Sequence, residues 1–245
     1  MVAQSTEEMI QELRNIMEAQ NKKIQHLQDV HEIANLMGRY IYYHTAGMDA
    51  QLPDLLYAQK TPGVTFEVAH MGAYDGIEGV KRALGTYGRR GPDGKIMEGD
   101  PATQPGALMQ HTLTTPVIEV AGDGKTAKGI WISPGHESGK DPQTGEFRAF
   151  WCWTKYGCDF VKEDGQWKVW HYHVYRIFRS PFEEPWTNEY ELKHEMILGE
   201  GDKGKGGFGA DRPSTYDNPY SRTTVQELVP APPDPYETFD PAKAY

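Results

Sequence analysis

Cysteine is scarce in this 245-residue sequence, and its two copies do not suggest a crosslink. Cys152 and Cys158 fall six apart in what reads as one strand. An extended backbone would hold them roughly 20 Å apart, beyond disulfide reach. They read as packing residues, which fits a reducing, cytoplasmic home. Long apolar runs are missing too, so no membrane partner is expected. The opening residues, Met1 to Glu8, combine neither a basic start nor an apolar centre, and no secretory leader is expected. Basic patches are equally absent. The net charge is −10, and Arg89 with Arg90 makes a pair rather than a patch, which argues against a nucleic-acid partner. No Ser or Cys nucleophile elbow and no His-Glu-x-x-His occurs. The glycine-rich stretch from Gly204 to Gly209 has no strand before it and no helix after it, so it is not read as a phosphate loop.

What is present is an ordinary globular composition, 38% hydrophobic and 24% charged, in a length that suits one domain with appendages. Ser5 with Glu8 makes a capping box, and Met9, Leu13, Met17, Ile24 and Leu27 continue at helical spacing. Asp29 and Glu32 repeat the box, which predicts a second helix with Val30, Ile33, Met37, Tyr40 and His44 on one stripe and Gly47 as its stop. The first helix reads as an arm against a neighbouring subunit or as a frayed leader. A short helix is expected at Leu52 to Tyr57, a strand from Val64 to His70, and a helix opened by Asp75-Gly-Ile-Glu78. Residues 88 to 106 read as a loop long enough for a lid. Strands follow at Ala107 to Val120, Thr126 to Ser133, Phe147 to Lys162 and Trp167 to Phe178, with Asp164-Gly165 as a hairpin signal. Five of six tryptophans fall between Trp131 and Trp170, which suits a curved sheet around a cavity. From Pro181 the chain turns rich in proline and glycine and cannot form its own core. It is either disordered or wraps the domain and a neighbour.

Several side chains stand out as candidate chemistry. His44 ends a buried stripe, with Tyr40 and Tyr43 a turn before it, and a histidine there is costly to bury without a partner. Strict alternation puts Trp167, Val169, His171, His173 and Tyr175 on one strand face and Trp170, Tyr172 and Arg176 on the other. If the first face is the inner one, His171 and His173 reach the cavity. A His-x-His pair also admits a metal, but no third ligand follows at a suitable distance, so no metal and no cofactor are expected. His111 shares an apolar face with Met109 and Leu113. Asp49, Phe66, Tyr74, Trp131, Lys155 and Arg176 are further pocket candidates, Arg176 or Lys155 as a partner for a phenolate. His70, at its strand end, is read as meeting solvent.

The order of these pieces resembles the SnoaL-like branch of the nuclear-transport-factor-2 superfamily across about residues 28 to 180. The resemblance rests on Arg39-Tyr-Ile-Tyr-Tyr-His44, Val64-Thr-Phe-Glu67, Tyr74-x-Gly76, His111-Thr-Leu and Glu163-Asp-Gly-Gln-Trp-Lys-Val-Trp170. It implies an α+β cone, a curved and mostly antiparallel sheet around a helix, over residues 29–180, with an N-terminal arm (1–28) and a C-terminal extension (181–245). Members include scytalone and bile acid dehydratases, ketosteroid isomerase, polyketide cyclases and non-catalytic binding proteins. The dehydratases' helix-end Tyr-Asp pair aligns with Tyr43 and His44, and their strand histidine with His111; histidine in place of aspartate is a departure. Cofactor-free lyases that remove formaldehyde from lignin-derived diarylpropanes are also relatives. The resemblance therefore implies a cofactor-independent lyase acting on a hydroxylated aromatic small molecule through Tyr43, His44 and His111, to which the strand alternation adds His171 and His173. A dehydratase or isomerase, a ligand carrier and a metal oxygenase using His171 and His173 are the alternatives. Because the aromatic sheet face and long termini need cover, a homodimer or homotrimer is expected.

Overall fold

The protein is described by a computed structural model covering residues 5–86, 105–140, 145–188 and 209–245. Helix α1 runs unbroken from Thr6 to Thr45, where two helices were expected. The capping box at Ser5 and Glu8 starts it. The second box does not act as a cap, because Asp29 is turned into the fold. Its carboxylate accepts from Trp167 Nε1 at 2.9 Å and Lys162 Nζ at 2.5 Å, and is 2% exposed. Removing one partner from a buried pair of this kind costs about 3–5 kcal/mol. From Asp29 onward the helix buries Ile33, Leu36, Met37 and Tyr40, whereas the turns before it project outward with their apolar residues exposed. It ends at Ala46, and Gly47 follows at φ 70°, a left-handed position that favours glycine.

After a 3-10 turn at Asp49–Gln51 come α2 (Leu52–Leu56), β1 (Thr65–Val68), β2 (Gly72–Asp75) and α3 (Gly76–Thr86). The sheet is completed by β3 (Leu108–His111), β4 (Thr114–Val120), β5 (Thr126–Lys140), β6 (Phe147–Glu163) and β7 (Gln166–Pro181). Strand β2 was not expected, and the single strand expected over Ala107 to Val120 is two, both paired with β5. The order is β2-β1-β7-β6-β5-β3, with β4 also on β5; β1 and β7 are parallel and the other pairs antiparallel. This is the α+β cone: a curved, unclosed mixed sheet with the inner half of α1 against its concave face. Tyr40 stacks on Tyr172 at 4.5 Å, and Ile33, Met37, Tyr57, Phe160 and Val169 fill the narrow end.

One local irregularity decides which side chains face inward. Val169 pairs with Phe160 and His171 with Asp159, so Trp170 is an extra residue in β7. Such a bulge shifts the alternation by one. Trp167 and Val169 face α1, but beyond the bulge Tyr172, Val174 and Arg176 face inward. A second bulge at Ile177 then puts Arg179 opposite Cys152.

Residues 209–245 lie along their own domain. Arg212 O accepts from Ala73 N, Ser214 and Thr215 donate to Glu67, and Tyr220 N donates to Ile177 O on the open edge of β7. Further on, Lys155 Nζ donates to Val229 O and Lys128 Nζ to Lys243 O across the convex face. The wrapping alternative therefore describes this part of the extension. The lid expected at 88 to 106 lies almost wholly outside the described residues. No described helix is long and apolar enough to cross a membrane.

Candidate active site

Where the concave face opens beyond α1 there is a mostly apolar cavity that is open to solvent at its mouth. Phe66, Val68, Leu84, Tyr40, Tyr172 and Val174 form its apolar wall. His44, His70, His111, Glu137, Arg176 and Arg179 supply the polar part.

His44 reaches the cavity because it occupies the last turn of α1, on the stripe that buries Ile33, Met37 and Tyr40. The chain turns at Gly47 and brings Asp49 back, so that His44 Nδ1 and Asp49 Oδ1 are 2.6 Å apart. Asp49 is 2% exposed. A buried carboxylate on Nδ1 fixes the tautomer and orientation of the ring, and proton chemistry then falls to Nε2.

His111, at the end of β3, faces His44 with ring centroids 5.4 Å apart. Its ring lies directly over Gly135, where a Cβ would come within 2.4 Å of Nδ1, so glycine is what admits the imidazole. His111 Nε2 is 3.4 Å from Glu137 Oε1, and Arg179 Nε donates to Glu137 Oε2 at 2.8 Å. Burial would raise the Glu137 pKa, but Arg179 and His111 together hold it well below the usual carboxylate range. Burial and the nearby Glu137 push the Cys152 thiol up, which keeps it protonated. His70 is lowered to about 3 by burial and by Arg176 and Arg179, so it is neutral. Burial also raises the pKa of Tyr40 and Tyr172 well above the ordinary value and that of Tyr156 to about 12; these phenols are donors, not bases.

Among the sequence candidates, Tyr40, His44, Phe66, His111 and Arg176 line this cavity, and Asp49 stands behind His44. Tyr43 packs partly buried against the core instead, one helix step off the stripe. Tyr74 and Trp131 are buried in the core, outside the lining. His171, His173 and Lys155 do not face inward, because the Trp170 bulge turns the two histidines to the convex face. There His171 Nδ1 meets Asp159 at 2.8 Å. His173 Nε2 lies 3.1 Å from Glu67 without hydrogen-bond geometry, and burial lowers its pKa to about 4. The two histidines thus engage different carboxylates and share no metal geometry. Among the described residues a different trio, His111, Glu137 and Cys152, brings potential ligand atoms within 4.8 Å. Its carboxylate is already held by a guanidinium and its thiol is held protonated, so a cation would have to displace Arg179 and a proton.

Residue reading missed Glu137 and Arg179, and it placed His70 in solvent, whereas its buried ring lines the cavity. Glu137 was within reach: it alternates with Trp131, Ser133 and Gly135 on one face of β5. Arg179 was missed because the strand was expected to end at Phe178, whereas β7 runs to Pro181.

An α+β cone with a closed narrow end and an apolar cavity carrying paired histidines defines a small-molecule pocket. The match to the SnoaL-like domain family over residues 25–173 identifies the lineage, and the chain belongs to that family. Among solved structures it is similar to LinA, at 12% identity, covering 67% of this chain and 96% of that one with a TM-score of 0.50. It is also similar to a hexachlorocyclohexane dehydrochlorinase, LinA-type3, from Novosphingobium barchaimii LL02 (14% identity, 66% and 96% covered, TM-score 0.48). A third is a protein described as a candidate scytalone dehydratase from Novosphingobium aromaticivorans DSM 12444 (16%, 66% and 93%, 0.49). At these identities the likeness is one of fold. No curated protein matches the sequence significantly.

Proposed function

We propose that the protein is a cofactor-independent lyase that works by acid–base chemistry on a hydroxylated aromatic compound. The observation that carries this reading is the His44–Asp49 pair, 2.6 Å apart, beside His111 on the wall of a mostly apolar cavity. His44, oriented by a buried carboxylate, is the base; the imidazolium it becomes is stabilised by Asp49. His111, beside an ionised Glu137, is the group that delivers a proton to a leaving hydroxyl. The buried Tyr40 and Tyr172 phenols remain protonated and border the reacting end as hydrogen-bond donors. Exclusion of water by the apolar wall favours elimination over addition of solvent.

The specific substrate proposed is a lignin-type diarylpropanediol. The benzylic C–O bond breaks as His111 gives its proton and water leaves, while the para-phenol loses its proton to solvent and forms a quinone methide. His44 then takes the proton of the terminal hydroxyl. The bond to that hydroxymethyl carbon breaks, formaldehyde leaves, and the bond's electrons restore the ring as a phenolate, which regains a proton. The products are a stilbene, formaldehyde and water. Simple dehydration would use the first half alone.

The test follows stilbene absorbance and trapped formaldehyde in parallel. His44→Ala and His111→Ala should each lower turnover by roughly 10²-fold, the scale of lost general acid–base help. Unchanged turnover in both would remove the mechanism. Dehydration without formaldehyde would move the assignment to a dehydratase, and saturable binding with no turnover would make the protein a carrier.

A further inference from the structure

At the polar end of the cavity, buried donors outnumber their partners. Arg176 lines the wall with its side chain 12% exposed, and Nη2 donates to both oxygens of Asp217 at 3.0 and 2.9 Å. Its Nε and Nη1 are buried and have no partner among the described residues. His70 lines the same cavity from the β1–β2 turn, and neither of its ring nitrogens has a described partner. The Arg179 charge, by contrast, is met by Glu137. Unpaired buried donors are costly, and an unpaired buried cation face more so. The partner Arg176 does have, Asp217, is on the more exposed side, where water screens it. Arg176 and His70 both line the cavity, so the shortfall borders it.

We propose that Arg176 and His70 form an oxyanion subsite, and that the aromatic substrate carries a carboxylate that docks there. The proposal rests on the cavity being the substrate site, and it adds an acidic group to the substrate class given above. A carboxylate supplies acceptor lone pairs to the guanidinium and to the His70 N–H, satisfying donors that a neutral aromatic would leave unpaired. The remaining length of the cavity, walled by Phe66, Tyr172 and Val174, takes the ring system. The carboxylate would thus fix which end of the substrate faces the His44–His111 pair.

The test is calorimetric binding and needs no turnover, so its outcome is separate from that of the lyase reading. The probes are stilbene-4-carboxylate, its primary carboxamide and 4-hydroxystilbene at neutral pH. Wild-type protein should bind the carboxylate at least about tenfold more tightly than the other two, the scale of a charge-assisted hydrogen bond. Arg176→Gln should abolish that preference while changing carboxamide affinity no more than about twofold. Asp217→Asn removes the negative charge from the same contact to the extension but keeps the cation, and should retain the preference. This second variant, with the wild-type comparison, keeps the test decisive if Arg176→Gln does not fold. Equal binding of carboxylate and carboxamide by the wild type would overturn the proposal. So would equal or tighter binding of the phenol, equal losses for all three probes in Arg176→Gln, or loss of the preference in Asp217→Asn.

Discussion

Asp49→Asn isolates the contribution of the buried carboxylate behind His44. The side chains are nearly isosteric, and Asp49 is outside the cavity lining, so the substrate surface is unchanged. What changes is the partner of Nδ1. The 2.6 Å contact is a charge-assisted hydrogen bond with Asp49 almost fully buried, a class worth about 1.5–3 kcal/mol. That interaction is strongest when His44 holds the abstracted proton, so its loss falls on the transition state. At about 1.36 kcal/mol per decade, kcat should fall between roughly tenfold and 150-fold. KM should stay within about threefold, because no group touching substrate has been removed. The assay is formaldehyde release with a thermal melt alongside. A variant that melts like the wild type and turns over within twofold of it would refute the role given to the dyad. A loss confined to KM would mean that Asp49 shapes the pocket rather than the chemistry.

Three further outcomes are expected. His70, held neutral with its pKa lowered to about 3 by burial, Arg176 and Arg179, must protonate on unfolding below pH 6.5. Stability tied to it is therefore intact above pH 6.5 and lost as the pH falls from 6.5 towards 3, at up to about 1.4 kcal/mol per pH unit. Urea midpoints of His70→Gln should show a shallower acid slope, and an unchanged slope would contradict the burial argument. Full activity should survive dialysis against a chelator; activity lost with stoichiometric metal would instead assign the His111–Glu137–Cys152 trio to a cation. Finally, Ile10, Leu13, Met17, Ile24 and Leu27 follow a 3-4 spacing on α1 and are 46%, 59%, 63%, 53% and 68% exposed, the pattern expected of a coiled-coil seam with Gln20 as its polar break. Wild-type protein should sediment as a dimer or trimer and Leu13→Asp/Ile24→Asp as a smaller species; a monomeric wild type would rule the seam out.

The helical stripe ending in His44 and the long strands β6 and β7 were legible because both depend on periodicities that one residue type after another reinforces. Gly47 marked the helix end for the same reason. The split of α1 at Asp29 was misread because a capping box is a local signal, and Trp167 and Lys162, more than 130 positions away, take that carboxylate. The inward face of β7 was misread for a different reason. Strict alternation was right up to Val169, and Trp170 then displaced the side chains by one as far as the second bulge at Ile177. A bulge with no glycine or proline carries no sequence mark, so His171 and His173 were exchanged for Tyr172 and Val174. The Asp49 contact was partly legible, since the turn at Gly47 returns the chain within reach of the helix end.

At 1.5 Å per residue the 40 residues of α1 make a rod about 60 Å long, and the described helix has no proline or break along it. Its final turn carries His44, and its first six turns lie outside the domain. A stiff body gripped at one end and loaded at the other behaves as a lever. Whatever holds the outer turns sets the tilt of the inner ones, and with it the angle at which the imidazole meets His111. Self-association and catalytic competence would then share one mechanical element, and specific activity would depend on protein concentration across the range where the seam forms.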